Sequence, residues 1–186
     1  MRPIRSQQGL IVILAHLPQL ARLIALSTML TGLSTVTLSW QPVPLPLPAE
    51  LTEAEASALR REKSPKSHVE AALKASELRL GSALTFARQR QYQTATQQLV
   101  VLTSLIGYAD QYSRSLPPRK RNDRDQCLKK IEQTIFRQNT RLEAIVRELP
   151  FEYREESGPL IEQIRKIRLQ AINDLLGGGA AIKLPE

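Results

Sequence analysis

Four long stretches of this chain repeat apolar residues at intervals of three and four positions, and this spacing most limits the folds open to it. The stretches cover residues 69–87, 95–109, 128–149 and 160–175. Residues three and four apart share one face of an α-helix, whereas a half-buried strand would alternate apolar and polar residues, which no window of the chain does. Because the connections are short, the sequence predicts an all-α domain: an antiparallel bundle of about four long helices, arranged as two helical hairpins.

Helix start and stop signals occur near the ends of these apolar stretches. Thr52 and Glu55 have the spacing of a capping box that opens a short helix, and Ser64 followed by Pro65 opens the first long one. The stop signals are Pro117, Pro118, Pro150 and the glycines at 177–179. We expect the last apolar stripe to begin at Leu160. The loop and early turn before the last helix would then contain Glu152, Glu155 and Glu156.

The third stretch is a narrow heptad stripe that one polar residue interrupts. Gln138 lies between Ile135 and Leu142 on the same predicted face. A polar residue in an otherwise apolar seam is typical of coiled coils, where it fixes the register of two chains. The stripe is therefore compatible with the interior of a monomer, where Leu142 is a core residue, and with the seam of a homodimer.

The first 40 residues differ in composition from the rest of the chain. Arg2, Arg5 and Arg22 are their only charged residues, and residues 23–40 carry no charge. A helix of that length spans roughly 27 Å, close to a bilayer core, and positive charges favour the cytoplasmic side. We expect residues 1–40 to be a cleaved signal peptide or a single signal-anchor helix with its N-terminus in the cytoplasm, in preference to a buried core helix. Either fate places the following domain in an exported, periplasmic location.

Residues 41–50 join this segment to the predicted domain at 51–186. Four prolines alternate with other residues in it, namely Pro42, Pro44, Pro46 and Pro48. Repeats of this kind favour the extended polyproline II conformation, in which nine residues span roughly 28 Å. The segment is predicted to be a stiff spacer between a membrane and the domain. The alternative is a proline-rich ligand for a partner domain.

A basic segment between the second and third long helices is the candidate binding surface. Residues 119–130 hold two acidic and six basic side chains, the latter being Arg119, Lys120, Arg121, Arg124, Lys129 and Lys130. One interpretation is a solvated loop, and the other is a patch for anionic lipid headgroups, acidic cell-wall polymer or nucleic acid. Nucleic acid is the least favoured ligand, because the domain is expected outside the cytoplasm and only 4% of the residues are aromatic.

Residues with catalytic or metal-binding chemistry are scarce after residue 40. His68 is the only histidine there and Cys127 the only cysteine, and no HExxH, CxxC, GxSxG, GxGxxG or P-loop motif occurs. We therefore expect no enzyme activity, no catalytic residue, no cofactor and no metal. His68 is expected to be exposed and solvated. Cys127 is expected to be either a small buried hydrophobe or a thiol that bridges two chains of a homodimer.

Three segments carry a resemblance to exported all-helical bacterial domains of unknown function. They are HVEAALKASELRLGSAL (68–84), QYQTATQQLVVLTSLIGYA (91–109) and RLEAIVRELPFEYREESGPLIEQIRKIR (141–168). Residues 87–95 also resemble the turn of a tetratricopeptide repeat. The resemblance implies an envelope location without an assigned activity. We expect a binding or scaffold module that contacts an envelope protein or an anionic surface. The alternatives are a polyanion-binding helical protein and a periplasmic adaptor with a tetratricopeptide-like hairpin.

Overall fold

The computed structural model describes residues 45–177, which are all-helical, with no strand among them. The five helices are α1 (Glu53–Arg61), α2 (Pro65–Arg88), α3 (Tyr92–Arg114), α4 (Arg121–Glu148) and α5 (Phe151–Leu175), with one 3-10 turn at Pro118–Lys120. The all-α prediction is confirmed. None of the helices in this part of the chain combines the length and the apolar character that a membrane span requires. The predicted membrane segment at 1–40 lies outside the described residues.

The predicted capping signals occur at both helix starts. The Thr52 hydroxyl accepts a hydrogen bond from the Glu55 backbone N–H at 3.3 Å, and a Glu55 carboxylate oxygen accepts one from the Thr52 N–H at 2.9 Å. The Ser64 hydroxyl accepts from the Ser67 N–H at 3.1 Å, with Pro65 as the first residue of α2. These bonds satisfy backbone donors that a helix start leaves without partners.

The predicted apolar faces of α2, α3 and α4 form the core. Buried residues of these faces include Val69, Leu73, Ser76, Leu80, Ala83 and Ala87 from α2, Ala95, Leu99, Leu102, Ile106 and Ala109 from α3, and Leu128, Ile131, Ile135, Gln138, Leu142 and Ile145 from α4. The helix α2 packs on α3 and α4, α5 packs on α4 and α3, and α1 packs on α2. The helices α3 and α4 also contact each other, so each long helix has at least two long neighbours.

The start of the last helix was predicted wrongly. The helix α5 begins at Phe151, so Glu152, Glu155 and Glu156 lie within it and not in a preceding loop. Its buried face starts at Ser157 and Ile161, while Leu160 is half-buried and Leu175 is exposed. The prediction relied on the apolar stripe that begins at Leu160, whereas the helix extends back to Phe151 and contains Pro159.

The proline-rich segment does not stand free of the domain over the residues that the structure describes. Leu45 and Leu47 are half-buried and pack against the core, as does Leu51, whereas Pro46 between them is exposed. The two leucines therefore lie on the side of the segment that faces the domain. Residues 45 and 47 thus contact the domain. Residues 41–44 lie outside the described part, and the interpretation of residues 41–50 as a spacer stays a prediction.

The polar interruption of the third stripe is accommodated inside one chain. Gln138 is buried on α4, and its amide donates a hydrogen bond to the Ser76 hydroxyl of α2 at 3.4 Å. Its carbonyl oxygen is also buried and has no protein partner. The apolar stripe of α4, which was compatible with a dimer seam, is thus covered by helices of the same chain.

Replacing Gln138 by leucine should raise the free energy of unfolding by about 1 kcal/mol, because the change removes a buried acceptor that lacks a hydrogen bond. Ser76 keeps its bond to the Leu73 carbonyl at 2.7 Å, so the change leaves no new donor unpaired. Thermal melts at two protein concentrations tenfold apart should show the same increase. A midpoint that rises with concentration in the variant would instead indicate a dimer seam.

Candidate anionic-surface patch

The basic segment is helical over most of its length, contrary to the prediction of a loop. After α3 ends at Arg114, Leu116 packs into the core and the Lys120 N–H donates to the Pro117 carbonyl at 2.8 Å. This bond closes the 3-10 turn, and α4 begins at Arg121. The residues from 121 to 130 have adequate helix propensity, and Cys127 and Leu128 bury their side chains, so the helix of the third stripe extends back to the turn.

Three consecutive cationic side chains are exposed at this turn, and we call Arg119, Lys120 and Arg121 the basic patch. The Arg121 side chain is 84% exposed, and its nearest acidic partner, Asp125, lies 3.9 Å from its Nε. Within the described part of the chain, Arg119 and Lys120 form no ion pair. An exposed pair at nearly 4 Å is weak, so the patch keeps most of its positive charge.

The other three predicted residues do not extend this patch as free charges. Arg124 lies 3.6 Å from the carboxylate of Asp174 on α5, and the Lys130 ammonium lies 3.1 Å from Glu70 on α2. Lys129 is exposed but lies two helical turns beyond Arg121. The structure thus brings three of the six predicted residues together as an exposed group.

A network of ion pairs joins the helix ends next to the 3-10 turn. Arg114 donates its Nε to the buried carboxylate of Asp110 at 2.8 Å and also donates to Asp174, which faces Arg124. The hydrogen bond from Arg114 to Asp110, and the charge of Asp174, raise the pKa of the Arg114 guanidinium. The network joins the end of α3, the start of α4 and the end of α5, and so fixes the backbone on either side of the basic patch.

The Cys127 thiol is buried in the core. Burial raises its pKa to about 11, and a hydrogen bond with Ser113 opposes that shift. A protonated, inaccessible thiol is a poor nucleophile and cannot meet a cysteine of a second chain in this conformation. The burial of Cys127 agrees with the buried-hydrophobe interpretation, and a bridge to a second chain would require this part of the core to open.

His68 is half-buried, and the expectation that it is solvated was wrong. Its Nε2 lies 2.7 Å from the Tyr108 hydroxyl, and its ring stacks on Tyr112 with the centroids 4.3 Å apart. Burial lowers the pKa of the imidazole and raises those of both tyrosines. The only sequence signal was the spacing of the two tyrosines, four residues apart on α3, which places them on one face.

Potential metal ligands do not cluster around these groups within the described residues. No set of three or more His, Cys, Asp and Glu side chains that could hold a metal occurs between residues 45 and 177. A groove of about 280 Å³ lies between α2 and α4, lined by Glu70, Leu73, Lys74, Glu77, Lys130, Thr134 and Arg137. Its ion pairs join the two helices, at 3.1 Å for Lys130 with Glu70 and 3.6 Å for Arg137 with Glu77. Such a lining is unlike the mainly apolar wall of a small-molecule site.

Comparison with known proteins leaves the site to be interpreted from its own geometry: no protein-family model, no curated protein and no solved structure matches the chain.

Proposed function

We propose that this chain is an exported or membrane-tethered helical binding or scaffold module of the bacterial envelope, without catalytic activity, whose basic patch contacts an anionic surface. The observation that carries the proposal is the run of three exposed cations, Arg119, Lys120 and Arg121, beside a rigid ion-pair network. The uncharged segment at 23–40, with arginines only before it, supports the location. A reporter that is active only outside the cytoplasm, fused after residue 186, tests that location.

We further propose that the long helices form two antiparallel hairpins packed side by side. The start of α2 meets the end of α3 where His68 contacts Tyr108 and Tyr112. Between the hairpins, residues 70 and 77 of α2 pair with residues 130 and 137 of α4, so these two helices run in the same direction. Repeated helical hairpins stack in this way in adaptor proteins, which favours the tetratricopeptide-like adaptor as a second candidate.

The strength of the expected interaction follows from the charge of the basic patch. Each basic residue close to an acidic membrane surface contributes about 1 kcal/mol, so three exposed residues give weak but measurable binding. Exposed charges are screened beyond about 8 Å at physiological ionic strength. Binding through the patch should therefore be lost at roughly half-molar salt.

Changing Arg119, Lys120 and Arg121 together to glutamine should lower retention on vesicles with acidic lipids by at least about tenfold at low salt. The measurement is co-sedimentation of residues 41–186 after circular dichroism has shown that this fragment is helical. Residues 1–40 are left out because their apolar segment would itself bind vesicles.

The matched control changes Arg88, Arg141 and Arg147 to glutamine. All three are exposed, and Arg141 and Arg147 lie about 30 Å or more from Arg121 along α4. This control removes the same charge and should change retention by less than about threefold. Equal losses in both variants would show that net charge alone binds, and retention at half-molar salt would contradict the proposal. The same retention assay with acidic cell-wall polymer and with nucleic acid in place of vesicles identifies which polyanion the patch prefers.

A further inference from the structure

The buried positions of the two hairpins proposed above, α2–α3 and α4–α5, repeat with one constant spacing. Buried residues of the first hairpin are followed 62 positions later by buried residues of the second, beginning with residues 69 and 131. Corresponding buried residues are Val69 with Ile131, Leu73 with Ile135, Ser76 with Gln138, Leu80 with Leu142, Leu99 with Ile161, and Leu102 with Ile164. A constant register of this kind is typical of stacked structural repeats. The hairpins are therefore two copies of one structural unit.

The helix α1 closes one end of the stack of hairpins. It packs on α2, and its Glu55 carboxylate accepts a hydrogen bond from Nε of Arg79 at 2.8 Å. The residue 62 positions after Arg79 is Arg141 of α4. Arg141 follows Arg137 by about one turn, on the side of α4 that pairs with α2. The helix α1 therefore lies on α2 at the side that corresponds to the contact of α4 with α2.

The opposite end of the stack has no covering helix among residues 45–177. Lys74 of α2, together with Glu70 and Glu77, lines the groove that faces α4. The residue 62 positions after Lys74 is Phe136 of α4, which is 63% exposed. Its ring contacts Arg168 of the same hairpin, with the guanidinium carbon 4.8 Å from the ring centroid. A large aromatic side chain is therefore exposed at a position where the first hairpin packs against another hairpin.

The outer side of α5 is identified in the same way from α3. Tyr92, Thr103 and Arg114 are spaced eleven positions apart, close to three helical turns, so they lie on one side of α3. Tyr92 and Arg114 both contact side chains of α5, so this side faces the second hairpin. Thr103 is buried there, whereas the residue 62 positions later, Arg165, has a side chain that is 48% exposed. Arg165 therefore lies on the outer side of α5.

We propose that the outer side of the second hairpin binds the same side of a second copy of this chain in a two-fold dimer. We call this surface the end face and define it by Glu132, Phe136, Glu143, Arg165 and Arg168. The corresponding side of the first hairpin already binds a hairpin within one chain, so this fold buries a surface of this kind. Because α1 closes the other end, copies cannot stack head to tail, and contact between like faces gives a closed dimer.

Charge complementarity favours one arrangement of the two end faces. The helix α4 contributes the acidic residues Glu132 and Glu143, which are eleven positions apart and so lie on one side, whereas α5 contributes the basic residues Arg165 and Arg168. A two-fold axis parallel to the helices places α4 of each copy against α5 of the other, so that acidic side chains meet basic ones. Phe136, one turn after Glu132, supplies the aromatic contact, and aromatic residues are enriched at interfaces.

Sedimentation equilibrium of the full chain in a density-matched, uncharged detergent, from about 1 µM to about 100 µM, measures the self-association without any acidic lipid for the basic patch to bind. The particles should change from one copy to two with concentration and grow no further. Phe136→Ser should raise the dissociation constant at least about tenfold, with unchanged circular dichroism. Phe151→Ser is the matched control, because Phe151 is 71% exposed and lies about 20 Å from Arg165 along α5. It should change the constant by less than about twofold.

A charge reversal tests the arrangement of the two faces. Arg165→Glu should raise the dissociation constant at least about fivefold, because it places an acid opposite the acidic side chains of the second copy. Lys166→Glu makes the same change of charge at an exposed residue that points about 100° away around α5, and it should have less than about a twofold effect. Equal effects of these two variants would contradict the placement of α4 against α5. A parent that stays monomeric, particles larger than two copies, or an association that Phe136→Ser does not weaken would overturn the proposal.

Discussion

Replacing Leu142 by alanine should lower the free energy of unfolding by about 2–5 kcal/mol. Its side chain lies in the C-terminal third of α4 and is 1% exposed, between the buried side chains of Ile135 and Ile145 on the same face. The loss combines the transfer free energy of the three buried carbon atoms that are removed, Cγ, Cδ1 and Cδ2, with the cost of the cavity that the closely packed neighbours leave. Urea denaturation followed by circular dichroism gives the measurement.

The matched control is the same substitution at Leu78, which lies on α2 and is 66% exposed. Alanine and leucine have similar helix propensities, so this variant should unfold within about 0.5 kcal/mol of the parent. If Leu142→Ala melted like the parent while Leu78→Ala did not, the assignment of the buried face of α4 would be wrong.

Replacing Arg114 by methionine should cost about 2–3 kcal/mol, because the change leaves the buried carboxylate of Asp110 without its cation. The estimate is below the full cost of breaking a buried pair, since about a third of the Arg114 side chain is exposed. Asp174 would also lose a donor, while keeping Arg124 at 3.6 Å. Denaturation of this variant at neutral pH provides the test.

The double variant Asp110→Asn with Arg114→Met should regain most of the lost stability, because it removes the unpaired charge. Arg121→Met serves as the control, since Arg121 is exposed and only weakly paired, and it should change the unfolding free energy by less than about 0.5 kcal/mol. An Arg114→Met protein as stable as the parent would mean that the network does not hold the three helix ends.

The parts of the fold that could be predicted from the sequence are those decided by near neighbours. A capping box needs only Thr52 and Glu55, and a buried helix face needs only the spacing of its apolar residues. The start of α5 was missed because the first turns of this helix carry few apolar residues, so the apolar stripe that marks the helix begins well after Phe151.

The environment of single side chains could not be predicted, because it depends on residues far away in the chain. His68 is half-buried because it contacts Tyr108 and Tyr112, which lie 40 and 44 positions later in the chain. In the candidate site, the basic segment was identified from composition. Which of its charges are free depends on the positions of Asp174 and Glu70, and local pattern does not encode those positions.

In the membrane-tethered form that we propose, the packing of Leu45 and Leu47 on the core would shorten the connection between residues 23–40 and the domain. The connection between the anchor and the domain would then consist of residues 41–44, and four residues span at most roughly 14 Å even when fully stretched. So short a connection would keep the domain close to the membrane, where the effective concentration of lipid headgroups reaches the millimolar range. An association that is weak between separate molecules would then be occupied most of the time, so three exposed cations would suffice to hold the domain against the bilayer.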